Sequence, residues 1–498
     1  MTKRGFASYV AVVTVLLSRL ALAQPESAPS DSPQWLKDRR YNEGIGIRAG
    51  DIDLHPGIAG EFGYDSNVFL RSSEVGTAVA NGVSNVPLVH ALAFRVTPSL
   101  YFSTRGAPRG EGEGAGEAIP PSVMFHAGVN ATYHALIGLG SGTSGSNNPN
   151  NPAQEDGVTG GADARLDILP GRSLGGSLFA GITRAIEPNT TTADPDLSFN
   201  RDAIRAGAEI ALQPGGGTLD WHVGYEFDGT IFETSEGAPY DTTTNQATMR
   251  GRWKFRPRTA LLYDASLQFI QYSDDTRALA AGGLVNSQPL RARLGLSGLV
   301  TDRFALTLMA GYGASFLDTS DLPGQKQYDS VIGQAELKWY LSASPGISNA
   351  TDIGLALSSV AIGYTRDFSL SYLGNYNGQD RGYLKFSYFF VGRMLATLEG
   401  GVSADEYPDV VLGTGQVAPG STHCGGVAAR VCAFTDTVAD ATLFSEYRFT
   451  DEVGLNLTLR YSQTFSNENI PEVGFAAPTY YAMSWQRFEA YLGLRWFM

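Results

Sequence analysis

The C-terminal stretch Arg487-Phe488-Glu489-Ala490-Tyr491-Leu492-Gly493-Leu494-Arg495-Trp496-Phe497-Met498 alternates between apolar and polar residues at almost every step. Successive side chains of an extended chain point to opposite faces, so this stretch predicts a β-strand with two unlike faces. Phe488, Ala490, Leu492, Leu494 and Trp496 would share one face, and Arg487, Glu489, Tyr491 and Arg495 the other. A helix would scatter both sets around its circumference. A strand that is apolar on one face and charged on the other is typical of a barrel wall between lipid and a wet interior.

The same alternation recurs along the chain in segments of about ten residues, separated by connections of alternating length. The segments lie at 162–168, 220–228, 290–297, 331–339, 381–390 and 455–461. The short turns are Pro170–Ser173, Pro214–Thr218, Pro257–Ala260, Thr301–Arg303, Val391–Arg393 and Thr450–Val453. The long polar loops lie near 188–200, 235–244, 275–288, 317–326, 372–379, 408–435 and 466–483. Short turns on the periplasmic side and long loops outside are the outer-membrane pattern.

Counting these units predicts an all-β fold, a transmembrane antiparallel up-and-down β-barrel of about eighteen strands, with both ends in the periplasm. The composition agrees, because the 498 residues include 59 Gly, 23 Tyr and 25 Phe but only 17% charged residues. Globular proteins have about 25% charged residues. No apolar stretch after residue 24 is long enough for a transmembrane helix. The expected location is the outer membrane of a Gram-negative bacterium, with its lipid as one partner.

The N-terminus predicts a signal peptide over residues 1–23. Lys3 and Arg4 precede the apolar run Ala7 to Leu22, and the small residues of Ala21-Leu22-Ala23 place cleavage before Gln24. Residues 24–50 then form a short periplasmic segment, and residues 51–498 form the transmembrane β-barrel. Removing residues 1–23 takes away three basic residues and no acidic one, which changes the formal net charge from −14 to −17.

The charge and the residue types argue against several function classes. An acidic chain lacks the basic footprint that nucleic-acid binding requires. Cys424 and Cys432 lie in one loop, where they could close a small disulfide ring, and His423 beside them lacks further ligands for a metal. His222 follows Asp220 on one strand face, but no nucleophile motif accompanies the pair. We therefore expect no enzyme activity, no metal and no cofactor.

The inward face carries rows of charge in one sector. The basic residues are Arg250, Arg252, Lys254, Arg291 and Arg293, and the acidic residues are Asp220, Glu226 and Asp228. Eighteen strands leave room for an aqueous channel unless it is plugged, so these side chains would line the lumen. They could set solute selectivity, or they could neutralise each other as cross-strand ion pairs. Loops 139–157 and 408–435 either fold inward as a constriction or cover the outer mouth.

The stretch Gly63-Tyr64-Asp65-Ser66-Asn67-Val68-Phe69 resembles the opening motif of the outer-membrane family called β-barrel porin 2. The resemblance implies a pore that secretes a polysaccharide, with a periplasmic polysaccharide export protein and the translocated glycan as partners. Inward aromatic residues such as Tyr101, Phe444 and Tyr491 would suit stacking against sugars. Two alternatives stay open: a general or substrate-selective diffusion porin, and a plugged structural or adhesive surface barrel.

Overall fold

Eighteen antiparallel strands, paired in chain order, form a closed ring in the computed structural model of the protein. The structure describes residues 46–72, 87–104, 121–140, 143–145, 148, 150–187, 199–235, 237–318, 325–341, 358–390, 393–411, 430–431, 433–467, 469–471 and 480–498. The predicted signal peptide lies outside these residues, as does most of the predicted periplasmic segment. Among the helices in the described part of the chain, none is long and apolar enough to cross a membrane.

The strands of the ring are 12 to 17 residues long, enough to cross the apolar part of a bilayer at a tilt. In chain order, strands β1 to β18 are Ile52–Asp65, His90–Thr104, Val123–Leu139, Gly157–Ile168, Leu174–Ala185, Arg201–Leu212, Leu219–Phe232, Thr242–Arg256, Thr259–Tyr272, Ser287–Leu299, Phe304–Leu317, Tyr328–Tyr340, Ser359–Ser371, Asn375–Phe390, Met394–Tyr407, Phe434–Arg448, Val453–Phe465 and Trp485–Phe497. A short strand, Ile47–Ala49, pairs with the start of β1. Two small hairpins, Val410–Val411 with Arg430–Val431 and Asn469–Pro471 with Tyr480–Ala482, lie in loops.

The first and last strands of the ring pair with each other. Their register runs from Gly57 opposite Phe497 to Asp65 opposite Glu489. An even number of strands lets an up-and-down sheet close with antiparallel neighbours throughout. Closure leaves no sheet edge exposed to lipid, where an unpaired backbone group would cost several kcal/mol. The predicted fold class and strand count are confirmed.

The two faces of the wall differ as the alternation predicts. On β18 the large apolar side chains of Phe488, Leu492 and Trp496 are 40%, 55% and 42% exposed, whereas Arg487 and Arg495 are each only 5% exposed. Most of the outward aromatic residues lie in two belts. At the periplasmic end they are Trp221, Trp253, Phe255, Phe304, Trp339, Phe390, Tyr447, Phe449 and Trp496; at the outer end they are Phe62, Phe94, Phe269, Phe316, Phe465 and Phe488. Such girdles lie at the two membrane interfaces, so the apolar exterior faces lipid.

The strands that flank the six predicted short turns all meet at one end of the barrel, which identifies that end as periplasmic. One predicted long loop is wrong. In place of a loop at 372–379, β13 ends at Ser371 and β14 begins at Asn375. Gly374 and Asn375 turn the chain in the left-handed region, with φ of +80° and +72°. Their turn-forming composition made a three-residue connection look like a long loop.

The strict alternation of connection lengths also fails at the periplasmic end. Two connections there are long, one between Thr104 and Val123 and the other between Tyr340 and Ser359. The first falls in the region from Ser72 to Gly157, where the sequence pattern is least regular. The predicted number of strands is still correct, because each long periplasmic connection joins neighbouring antiparallel strands.

A charge placed at mid-height on the outer face should destabilise the barrel according to its depth. Leu492 lies midway between the outer belt and the periplasmic belt, whereas Leu174 begins β5 at the periplasmic interface. We expect Leu492→Arg to lower the free energy of unfolding by about 2–4 kcal/mol and Leu174→Arg by about 0–1 kcal/mol. Denaturant titration in lipid vesicles measures both. Equal losses at the two positions would contradict the assigned membrane depth.

Candidate functional site

The inner wall of β6, β7 and β8 carries a connected network of charged side chains. The carboxylate of Glu209 accepts a hydrogen bond from Nη2 of Arg250 at 2.6 Å and lies 2.8 Å from Nδ1 of His222. Nε2 of His222 lies 2.7 Å from Oδ1 of Asp220, whose other oxygen lies 3.2 Å from Nε of Arg252. These five side chains come from three adjacent strands, whose inward positions the closed register aligns.

Nearer the outer end, the same wall exposes more of its charge to the lumen. Arg205 of β6 forms an ion pair with Glu226 and lies 3.9 Å from Asp228. The side chain of Arg205 is 49% exposed and that of Asp228 is 37% exposed. Arg205 was not assigned from the sequence, although its alternation with the outward residues Ile204 and Ile210 places it on the inward face.

Arg291 and Arg293 reach across the wall to acidic partners on other strands. Nη2 of Arg293 lies 2.9 Å from Oδ1 of Asp264 on β9, and Nε of Arg291 lies 3.0 Å from Oδ1 of Asp367 on β13. The residues opposite these arginines on β11 are glycines, Gly313 for Arg291 and Gly311 for Arg293. Because these glycines add no side chain to the wall, the guanidinium groups can extend past β11. Asp264 is the direct cross-strand neighbour of Arg293, whereas the contact between Arg291 and Asp367 crosses β11 and β12.

Ion pairs bring together seven of the eight predicted lumen residues, through His222 and through Arg205, Glu209 and Asp367, which the sequence pattern did not single out. Arg250, Arg252 and Asp220 meet through His222 and Glu209. Glu226 and Asp228 meet at Arg205, and Arg291 and Arg293 meet at Asp367. Lys254 lies at the periplasmic end of the same inward face, where its backbone N–H donates to the carbonyl of Thr218 at 2.8 Å. Cross-strand pairing describes most of these charges, and their role in selectivity stays a prediction.

A second charged wall lies on the other side of the ring. Nη2 of Arg381 lies 2.8 Å from Asp440, and Nζ of Lys385 lies 3.3 Å from Glu399. Lys385 and Glu399 are 48% and 43% exposed, so both signs of charge face the lumen here too. Strands β6 and β15 are nine positions apart in a ring of eighteen, which makes the two charged walls opposite each other.

The Gly63–Phe69 motif joins the two ends of the barrel wall. Asp65, 1% exposed, accepts from Nε of Arg487 at 3.0 Å and from its Nη2 at 2.5 Å. Ser66 exchanges two hydrogen bonds with the backbone of Phe488, one through its N–H and one through its Oγ. The side-chain amide of Asn67 donates to the carbonyls of Arg71 and Gln486 at 2.8 and 2.9 Å. The motif therefore fastens β1 to β18 at the outer end of the closing pair.

The three inward aromatic residues named as sugar-stacking candidates do not offer open faces. Tyr101, Phe444 and Tyr491 are only 6%, 5% and 2% exposed. The guanidinium of Arg95 covers the ring of Tyr491 at 3.9 Å from its centroid, and Phe444 packs against Ala59. Rings that are already covered cannot stack against a passing sugar, so this expected support for glycan transport fails.

The two predicted constriction loops are described to different extents. In loop 139–157 a short 3-10 helix, Pro152–Glu155, follows Asn150, whose side chain accepts a hydrogen bond from Arg71 at 2.7 Å. Most of loop 408–435 lies outside the described residues, including His423, Cys424 and Cys432. In the part of the chain that the structure describes, no group of three or more His, Cys, Asp and Glu side chains could hold a metal ion.

A closed ring of antiparallel strands with a lipid-facing apolar exterior and a charged interior defines an outer-membrane β-barrel protein of a Gram-negative bacterium. No protein-family model and no curated protein sequence matches the chain.

Solved barrels overlap with it at low similarity. OpdK from Pseudomonas aeruginosa, solved with vanillate, has 12% identity and a TM-score of 0.43, over 90% of this chain and 99% of that one. OccAB4 from Acinetobacter baumannii has 10% identity and a TM-score of 0.40, over 89% and 98%. The siderophore receptor PirA from P. aeruginosa has 9% identity and a TM-score of 0.39, over 89% and 80%.

The buried ion pair at the closing strands should stabilise the barrel more than an exposed pair does. Replacing Asp65 by Asn removes the charged hydrogen-bond partner of Arg487 but leaves Glu489 at 3.5 Å from the same guanidinium, so we expect a loss of about 1.5–3 kcal/mol. Asp302→Asn is the matched control, because the pair between Asp302 and Arg258 is 79% and 49% exposed and should contribute about 0–1 kcal/mol. Denaturant unfolding in detergent compares the two. If Asp65→Asn is as mild as Asp302→Asn, the closing pair is not a main source of stability.

Proposed function

We propose that this protein is a substrate-selective diffusion channel for small hydrophilic solutes. The observation that carries the proposal is the pair of opposed, charged inner walls. Arg205 and Arg252 are 49% and 42% exposed on one wall, and Lys385 and Glu399 are 48% and 43% exposed on the other. Exposed charges of both signs around an aqueous path select permeating solutes by their charge distribution.

Polysaccharide secretion has weaker support than diffusion. It came from the resemblance of Gly63–Phe69, and the contacts of Asp65, Ser66 and Asn67 explain that motif by barrel closure alone. The inward rings that were expected to stack against sugars are covered. A diffusion channel also requires neither a periplasmic export protein nor a glycan as partner.

A catalytic role is disfavoured by the surroundings of the best candidate. Both ring nitrogens of His222 lie within 2.8 Å of carboxylate oxygens, those of Glu209 and Asp220. A histidine held in this way has no ring nitrogen left to exchange a proton with a substrate. The network therefore acts as a structural and electrostatic part of the wall.

Neutralising the exposed basic residues of the first wall should shift ion selectivity. We expect the double variant Arg205→Gln and Arg252→Gln to favour cations more than the wild type, because carboxylates lose their cationic partners. The reversal potential across a planar bilayer under a salt gradient measures this shift. Arg258→Gln, an exposed change at a periplasmic turn, is the matched control and should leave the reversal potential unchanged.

Either of two results would overturn the proposal. A folded wild-type barrel that forms no channels excludes passive diffusion. Channels whose reversal potential is the same in wild type and double variant would show that these walls do not select ions.

A further inference from the structure

The loop between β9 and β10, residues 273–286, leans across the inside of the barrel. Asn375, at the start of β14, holds it from four strands away: its Oδ1 accepts from the N–H of Val285 at 2.8 Å and its Nδ2 donates to the carbonyl of Gly283 at 3.0 Å. Asn375 is 2% exposed and adopts the left-handed conformation. The side chain of Asn375 thus bonds the two backbone groups of Gly283 and Val285 as a neighbouring strand would.

Apolar side chains fasten the same loop to the inner wall. Ile332 of β12 is an inward residue, because its neighbour Val331 is 67% exposed on the lipid face, yet Ile332 itself is 0% exposed. It belongs to a buried cluster with Val285 of the loop and with Leu317, against which Leu279 packs. An isoleucine on the wall of a water-filled lumen would be wetted, so this cluster, which also contains Phe368 and Tyr376 of the wall, removes Ile332 from water.

The loop between β7 and β8 makes further contacts at this end of the barrel, with the β13–β14 turn and with the β9–β10 loop. Tyr240, in the loop between β7 and β8, packs against Tyr372 of the β13–β14 turn with ring centroids 5.3 Å apart. Phe232 contacts Tyr372 at 5.9 Å, and Nη2 of Arg277 donates to the carbonyl of Ser235 at 2.8 Å. Burial raises the pKa of both tyrosines, so these phenols stay neutral. The loop itself is held at three points: by Asn375, by the bond from Arg277 to Ser235, and by Ala278 and Leu284, whose cluster Tyr240 packs against.

A second segment folds inward on the opposite side. Val68 and Phe69, which follow the closing pair, are 1% and 2% exposed and pack against Ala93, Leu136 and Tyr491 on the inner face of β2, β3 and β18. Strands β2 and β3 lie nine positions from β11 and β12, which carry the first cluster. Most members of both clusters lie in the outer halves of their strands, and the two clusters are on opposite sides of the ring.

We propose that these two inward-folded segments, residues 66–71 and 273–286, form a fixed two-sided constriction that sets the size limit of the pore. Asn375 is the positioning residue of the second segment. The charged walls of β6–β8 and β14–β16 lie between the two segments in the ring order, so a solute that has passed the constriction meets charge on the two other sides of the barrel. This inference rests on the proposed channel function and adds that the channel selects solutes by size.

Two variants release the second segment by different means. Asn375→Gly keeps a residue that tolerates the left-handed backbone but removes both hydrogen bonds to the loop. Replacing residues 275–282 by Gly-Ser-Gly removes the helix of the loop itself, a change that an outer loop tolerates. Asn245→Gly is the control. It also removes an asparagine side chain from a strand, but that side chain accepts a hydrogen bond from the hydroxyl of Tyr225 on the lipid-facing surface and does not contact the loop. Planar-bilayer conductance and the largest polyethylene glycol that enters the pore are measured for each.

We expect both loop variants to show higher single-channel conductance and to admit larger polyethylene glycols, with Asn245→Gly like the wild type. A wider pore in the shortened variant alone would support the constriction and overturn the role of Asn375. If the wild type conducts and neither variant changes its conductance or its cut-off, the constriction is wrong while the channel function stands. A silent wild type overturns the channel function itself.

Discussion

Every backbone N–H and C=O in the hydrocarbon layer must find a partner within the protein, and this constraint governs the rest of the structure. It requires the first and last strands to pair, and they do so from Gly57 opposite Phe497 to Asp65 opposite Glu489. The ion pair between Asp65 and Arg487 reinforces the outer end of that pairing from the lumen side. Closure in turn fixes which side chains face lipid and which face the interior.

The sequence predicted those features of the fold that depend on neighbouring residues. Alternation in Arg487–Phe497 predicted the two faces of the wall, and the short turns predicted where strands reverse. Residues 372–379 were misjudged, because Gly374 and Asn375 are turn formers whether a connection is three residues long or eight. Local composition does not determine loop length when another loop packs over the turn.

The candidate site was predicted in part, for a related reason. The alternation of side chains along each strand placed Arg250, Arg291 and Asp220 on the inward face. It could not place Asp367 beside Arg291, because that contact crosses two intervening strands and depends on the closed register. The inward-folded β9–β10 loop also escaped prediction. Its one sequence signal was Ile332, an apolar residue at a position where a water-filled lumen would favour a polar one.

Pairing of the inward charges has two consequences at once. The ion pairs keep buried members such as Glu209 from being isolated in a low-dielectric wall, which would cost several kcal/mol for an unpaired charge. Their exposed members leave charge of both signs in contact with the lumen. A wall built in this way is stable and still presents charges to the lumen, and a selective diffusion path requires both properties. The inward-folded segments, residues 66–71 and 273–286, then narrow the aqueous path from two sides.

Permeation of graded sugars into liposomes tests the central claim most directly. Vesicles containing the purified wild-type protein would be placed in solutions of monosaccharides, oligosaccharides of increasing length and dextran, and the rate of swelling recorded. The structure predicts rapid entry of monosaccharides, a steep fall with oligosaccharide length and exclusion of dextran. Free passage of long oligosaccharides, or no entry of any sugar by a folded barrel, would contradict a narrow channel for small solutes.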